Sequence, residues 1–253
     1  MNEVSETELI EARKQIQDLK EQLDKLYSII SVELGSPLKS LKSMVDLVQM
    51  DVESIDNPMI TESVRYLNLQ MEKLLFQMSN LIEWSSLQVK NYAYKPDSFD
   101  IRWVLEKVKD FYEKQASNKG VEIKIIDENI NHLVKKVQGD KRMVQQVISN
   151  FVGNAVKFCR KGDNIILNTE IIENQIIISV KDTGIGMGKA KLQNIFNPSR
   201  KSTQKGTSNE SGLGLGMITA KAMLDLHQSE ILITSEQGKG TEVKFALSLA
   251  NDV

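Results

Sequence analysis

Four clusters of residues in the second half of the chain have the types and spacing to do chemistry. Asn150 and Asn154 stand four residues apart in a helical pattern, so their amides project from one face, with Lys157 and Phe158 one turn later. Asp182-Thr183-Gly184-Ile185-Gly186 follows an apolar run. A carboxylate at a strand end can accept a hydrogen bond from a base amine, and the glycines let backbone approach a ligand closely. Gly212-Leu213-Gly214-Leu215-Gly216 opens a further helical pattern, whose N-terminal amides suit phosphate. Gly238 and Gly240 mark a tight turn, with Thr241 directly after it. Each cluster alone also has a plain structural reading. An asparagine pair can be a capped or solvated face, and this glycine cluster fits neither the Walker pattern nor the dinucleotide fingerprint.

The elements that must position these groups begin at Phe99. A helix runs through Val104, Val108 and Phe111, and an alternating strand covers Val121 to Ile125. Lys141–Phe158 reads as a second helix. Strands at Ile165–Thr169 and Ile176–Val180 frame a turn at Glu173-Asn174. After a polar loop rich in Gly, Ser and Lys come a helix near Leu215–Leu226 and a final hairpin, Ile231–Ser235 and Glu242–Leu249, turning through Gly238-Lys239-Gly240. Mixed strands with helices on one side predict an α/β sandwich over residues 98–250.

Upstream the texture is helical. Leu9, Ile16, Leu23 and Ile30 recur every seven positions, with Ala12, Leu19 and Leu26 three residues after the first three. This narrow seam predicts a parallel coiled coil over residues 1–30. The stripe continues through Leu34, Leu38, Leu41, Val45, Val48, Val52 and Ile55, with a phase break near Ile30–Leu38 and a kink expected at Pro37. Asp56-Asn57-Pro58 ends that helix and starts another, with Asn57 as N-cap and Pro58 at the first helical position. The second helix carries Ile60, Val64, Leu67, Met71, Leu74, Met78 and Leu81. Two narrow stripes cannot bury themselves in a lone hairpin, whereas two copies can form a four-helix bundle, so residues 31–92 predict a homodimerising antiparallel hairpin. Asn91–Ser98 reads as a linker, and the fold class is α+β with two domains.

Composition removes several function classes. Basic and acidic residues number 32 and 34, and no basic run interleaved with aromatics appears, which argues against nucleic-acid binding. Cys159 is the single cysteine, and the two histidines, His132 and His227, are far apart, so neither a disulfide framework nor a zinc cluster is expected. No apolar run approaches the roughly 20 residues of a membrane span, and the expected location is cytoplasmic, alone or as part of a longer sensor.

In this order and at these spacings, the clusters resemble the N, G1, F, G2 and G3 boxes of the ATP-binding domain of sensor histidine kinases, in the GHKL ATPase superfamily. Ile195-Phe196-Asn197 matches the F box, and Gly139-Asp140 and Phe99-Asp100-Ile101 also fit. The helical hairpin adds Ser31-Val32-Glu33-Leu34-Gly35-Ser36-Pro37-Leu38, which is similar to the phosphoacceptor box of that family. The resemblance spans residues 25 to 250. It implies ATP or ADP and Mg²⁺ as ligands, and a response-regulator receiver domain as partner. Asp182 would bond the adenine amine, with Thr183, Gly184 and Gly186 shaping the pocket and Asn150 ligating Mg²⁺. Asn154 and Lys157 would contact ribose or phosphate, and Gly212, Gly214 and Gly216 would cradle the phosphates. Phe196 and Thr241 complete the nucleotide set. Residues 198–211 match a mobile lid, whose Arg200, Lys201 and Lys205 could steady the γ-phosphate. Lys189 and Lys191 read as ordinary surface charge.

The family's acceptor histidine is Val32 here, about 200° around the helix from Ile30 and from Leu34, and so facing away from the seam. Valine has no lone pair, so covalent phosphotransfer at that position is chemically excluded. Glu33 holds the neighbouring acid position. Ser36 replaces the Thr or Asn associated with dephosphorylating a receiver, and Gly35 replaces a common basic residue. Three readings follow: a kinase core silenced by an engineered valine, a natural pseudokinase acting as an ATP-binding regulatory scaffold, or a receiver phosphatase using Ser36 and Glu33. Neither His132 nor His227 is placed to substitute for the missing acceptor.

Overall fold

The computed structural model describes residues 13–15, 17, 35–52, 57–88, 94–127, 136–197, 205–208, 210 and 214–250. The heptads at 9–30, apart from the short pieces at 13–15 and 17, lie outside the described residues, as do Val32, Glu33 and His132. The chain divides into two compact units, Met1–Tyr92 and Ala93–Val253.

The first unit is a pair of helices, α1 (Gly35–Val52) and α2 (Pro58–Gln88). Asn57 caps α2 as its sequence position predicts: Oδ1 accepts the N–H groups of Met59 at 3.1 Å and Ile60 at 3.4 Å. Val52 and Val64 are buried between the helices. Asn68 on α2 adds a polar link, its Nδ2 donating to Asp46 Oδ1 at 3.0 Å and to Gln49 Oε1. Leu41, Val48, Ile60, Leu67 and Leu74, all stripe positions, are exposed on the single chain, as are Met44, Leu47 and Met50. Among the described residues no helix is long and apolar enough to cross a membrane.

The second unit packs helices on a mixed five-stranded sheet. Its strands are β2 (Glu122–Asp127), β4 (Asn164–Ile172), β5 (Gln175–Asp182), β6 (Leu232–Glu236) and β7 (Gly240–Ser248), in the order β2-β4-β5-β7-β6. β2 and β4 run parallel, and the other neighbours are antiparallel. The helices are α3 (Ile101–Lys119), α4 (Lys141–Phe158), the single turn α5 (Lys189–Leu192) and α6 (Gly216–Leu226). Alternate residues of each central strand enter the core: Ile165 and Leu167, then Ile176, Ile178 and Val180, then Val243, Phe245 and Leu247. The α4 face of Met143, Val144, Val147, Ile148, Phe151, Ala155 and Val156 covers them, with Phe151 edge-on to Phe245.

Two short strands escape the sequence pattern. β1 (Asp97–Asp100) pairs antiparallel with β3 (Lys136–Gly139), a four-residue ladder too brief for periodicity to reveal. β7 also starts two residues before the Glu242 read from the sequence, so Gly240 belongs to the strand and the turn is 237–239. At the start of α4, Asp140 Oδ1 accepts the N–H groups of Arg142 and Met143, and Oδ2 accepts that of Lys95. His227 has the structural role its position suggests. Its Nε2 accepts the Asp140 N–H at 2.9 Å, which makes Nδ1 the protonated nitrogen, 2.8 Å from the Met223 carbonyl.

Candidate nucleotide-binding site

The site grows from strand β5. Ile176, Ile178 and Val180 point into the helix layer, and the same two-residue period sends the next member, Asp182, to that face. Asp182 is 8% exposed. Its Oδ1 accepts the Gly184 N–H at 2.9 Å and the Thr241 N–H at 3.2 Å, and Oδ2 has no hydrogen-bond partner among the described residues. Burial pushes the carboxyl up to about 6, against the pull of the two amides and with a smaller push from Asp163. Thr183 is exposed; its hydroxyl accepts the Asn164 N–H at 3.0 Å and contacts Asp163 Oδ1 at 3.2 Å, tying the turn to the start of β4.

The glycines of this turn meet protein backbone. Gly186 is at φ +59° and Gly240 at φ +95°. A Cβ at Gly186 would overlap the Glu236 carbonyl, and one at Gly240 would overlap the Asp182 carbonyl. A Cβ at Gly184 would stand 2.6 Å from the Phe158 carbonyl oxygen. At these positions two turns and the end of α4 are pressed together, which by itself requires glycine.

Across the sheet, α4 presents Asn150, which is 4% exposed amid apolar neighbours, and its Nδ2 is buried with no hydrogen-bond partner among the described residues. Leaving such an amide unpaired costs about 1–3 kcal/mol. The first residue of α6, Gly216, faces it: a Cβ there would come to 3.2 Å from Asn150 Oδ1. Gly214 sits at φ +71° just before that helix. Asn154, one turn along α4, is half-buried.

At the C-terminal end of α4 two lysines share one aromatic ring. Lys157 Nζ lies 5.2 Å and Lys191 Nζ 4.7 Å from the Phe158 ring centroid. Burial lowers the pKa of both ammonium groups, and Lys157 lowers that of Lys191 further. Lys191 is therefore part of the site's electrostatics; the reading of ordinary surface charge is corrected, because the single turn of α5 brings it over the ring. Phe196 is half-buried just after α5, and Lys205 is exposed. Arg200, Lys201 and Gly212 lie outside the described residues, and Ser36 lies in the first turn of α1.

The described part of the lid makes specific contacts. Residues 205–208 and 210 are fastened to the helices: Thr207 N–H and Oγ1 both bond the Lys157 carbonyl, at 3.0 and 3.2 Å, and Oγ1 also contacts the Cys159 carbonyl. Lys119, the last residue of α3, reaches Glu210 Oε1 at 2.6 Å. Sequence reasoning missed Lys119, Thr207 and Glu210, whose partners are 91 residues apart or belong to main chain.

A buried strand-end carboxylate, an asparagine amide unpaired among the described residues and close to a helix N-terminus, and a lysine pair make a candidate nucleotide site on an α/β sandwich. Residues 139–251 match the family described as histidine kinase-, DNA gyrase B-, and HSP90-like ATPase. An uncharacterized sensor-like histidine kinase of Rhizobium meliloti is 26% identical over 215 residues, covering 85% of this chain and 40% of that protein. The cell-division control histidine kinase PdhS of Brucella suis is 25% identical over 251 residues, covering 95% of this chain and 24% of that protein. The chain thus spans two fifths or less of the length of these curated relatives. In fold, it is similar to full-length ShkA, solved in complex with AMPPNP, with a TM-score of 0.68 at 23% identity over 91% of this chain and 46% of ShkA. The Acinetobacter baumannii histidine kinase AdeS gives 0.57 at 17% identity over 85% and 96%. Residues 139–251 thus match a GHKL-type ATPase family, and the chain is similar over most of its length to parts of sensor histidine kinases.

Proposed function

We propose that this chain binds Mg²⁺-ATP in its second unit and is the core of a two-component sensor kinase whose self-phosphorylation is silenced at Val32. The observation that carries the nucleotide reading is Asp182: a buried carboxylate with one oxygen held by two backbone amides and the other left for a donor. An adenine amine is such a donor. The residues present also suit the rest of the ligand. Asn150 Oδ1 would ligate Mg²⁺, its buried Nδ2, which has no partner among the described residues, would donate to a phosphate oxygen, and Gly216 leaves room beside it. Asn154 and Lys157 would hold ribose and phosphate, and Lys201, Lys205, Gly212 and Gly214 would line the phosphate side. Bound Mg²⁺-ATP supplies the activated phosphoryl group.

In the first unit, Glu33 and Ser36 keep the polar neighbours of a phosphoacceptor, while Val32 offers no nucleophile. The exposed apolar residues of α1 and α2 support a homodimer through the hairpin, and a receiver domain of a response regulator is the further partner. The protein acts in the cytoplasm. Val32 itself favours one second reading, a regulatory scaffold that binds ATP and transfers nothing.

Binding of a fluorescent ATP analogue with and without Mg²⁺, followed by incubation with γ-labelled ATP, tests both parts. The chain is expected to bind the analogue and to remain unlabelled, while Val32→His acquires acid-labile label. Label on the unaltered chain would overturn the silencing, and an unlabelled Val32→His protein would favour the scaffold.

A further inference from the structure

The segment that leads into the glycine loop at α6 is fixed to the helix layer by a buried ion pair and a shared carbonyl. Lys119 Nζ donates to the Val156 carbonyl at 2.8 Å, the Lys157 carbonyl at 2.9 Å and Glu210 Oε1 at 2.6 Å, which uses all three of its protons. The pair is poorly exposed, 11% for Lys119 and 18% for Glu210. Glu210 Oε2 accepts the Ser208 N–H, and the Glu210 carbonyl accepts the Gly206 N–H, both at 2.8 Å, so Gly206 and Ser208 are both held to Glu210. Gly206 is required there, since a Cβ would overlap Glu210 Oε2 and stand 2.7 Å from the Lys157 carbonyl oxygen.

Lys157 is the hub. Its carbonyl, one of the unsatisfied acceptors at the end of α4, takes bonds from Lys119 Nζ, Thr207 N–H and Thr207 Oγ1. Its side chain stands over Phe158 beside Lys191. Six residues after Glu210, Gly216 meets Asn150. The two ends of the stretch 210–216 are therefore held against the two ends of the same α4 surface, at Lys157 and at Asn150. Asp182, on β5, takes no part in this network.

We propose that Lys119, Thr207 and Glu210 are positioning residues for the phosphate side of the nucleotide site, a latch that sets the Lys157 ammonium and the start of α6 at Gly216 without touching the base. The inference rests on the nucleotide reading of Asp182 and Asn150. Its consequence is selective: breaking the latch weakens recognition of the phosphates and spares recognition of adenosine.

The test uses the 253-residue chain and a fluorescent mant-ATP probe, displaced in turn by ATP and by adenosine. Glu210→Gln and Thr207→Val are expected to raise the dissociation constant for ATP about tenfold, the effect of losing one charge-assisted or buried hydrogen bond, with adenosine within about twofold. Lys119→Arg, which keeps the charge and donors, is expected to retain most of the ATP affinity, while Lys119→Met is not. Thermal unfolding without ligand separates folding loss from this effect. Equal weakening of ATP and adenosine, or unchanged ATP affinity in folded Glu210→Gln and Lys119→Met, would overturn the latch. If the unaltered chain binds neither mant-ATP nor adenosine, the nucleotide reading falls, and the latch with it.

Discussion

Thr241 donates its backbone N–H to Asp182 Oδ1 at 3.2 Å, joining the second residue of β7 to the carboxylate that opens a glycine turn 59 positions earlier. Antiparallel pairing of β5 with β7 sets Asp182 directly opposite Thr241. The ladder therefore orients the carboxylate and occupies Oδ1, so in the proposed site Oδ2 is the oxygen that would meet the base.

Asp182→Asn keeps the shape and can keep Oδ1 as acceptor for Gly184 and Thr241. It places an NH₂ where Oδ2 was, donor against the adenine amine. Affinity for mant-ATP is expected to fall at least about tenfold, while the unliganded protein melts at an equal or higher temperature at pH 7.5 because a buried charge is gone. Undiminished binding would remove Asp182 from the site.

The raised Asp182 value also fixes a pH dependence. The folded carboxyl titrates near 6, above its ordinary 3.8, so the folded state holds this proton more tightly. The group's contribution to stability is full below its unfolded value and is lost as pH rises through about 6. The melting temperature of the unaltered chain minus that of Asp182→Asn should therefore decline between pH 4.5 and 7.5. Nucleotide affinity runs the other way, rising as the carboxylate forms; a flat profile for both would show that the titration is not felt at the site.

Gly240→Ala and Gly238→Ala separate two kinds of glycine. Both have positive φ, +95° and +82°, but only at Gly240 would a Cβ meet backbone. Gly238→Ala should cost roughly 1 kcal/mol from backbone strain. Gly240→Ala should cost several times more or prevent folding, since the Asp182 carbonyl must move. Urea unfolding of the two variants measures the difference.

For Asn150→Ala, the expected signature is a divorce of stability from binding. The buried Nδ2 has no partner among the described residues, so unfolding free energy should change by no more than about 1–2 kcal/mol. The gain in ATP affinity on adding Mg²⁺ should disappear, read by titrating mant-ATP with and without the metal. A Mg²⁺ effect that survives the substitution would place the metal elsewhere.

Much of the second unit is legible in the chain because its signals are local. Lys141–Phe158 is bounded by the Asp140 cap and carries a 3.6-residue apolar period, and the Glu173-Asn174 turn sits between two alternating runs. The same period of two that marks Ile176, Ile178 and Val180 already points Asp182 inward. By contrast, β1 and β3 stabilise each other across more than thirty residues, and neither has enough length to declare itself.

The sequence by itself determined the helices, the central strands, the candidate base acceptor and the absence of a nucleophile at Val32, since each follows from side-chain type, spacing or valence. Tertiary structure alone decided which Asp182 oxygen is available, why Gly186 and Gly240 must be glycine, and that Lys191 joins Lys157 over Phe158. It also brought Lys119 to Glu210. Those relationships depend on where separate elements are pressed together, and packing distance is a property that no single stretch of chain encodes.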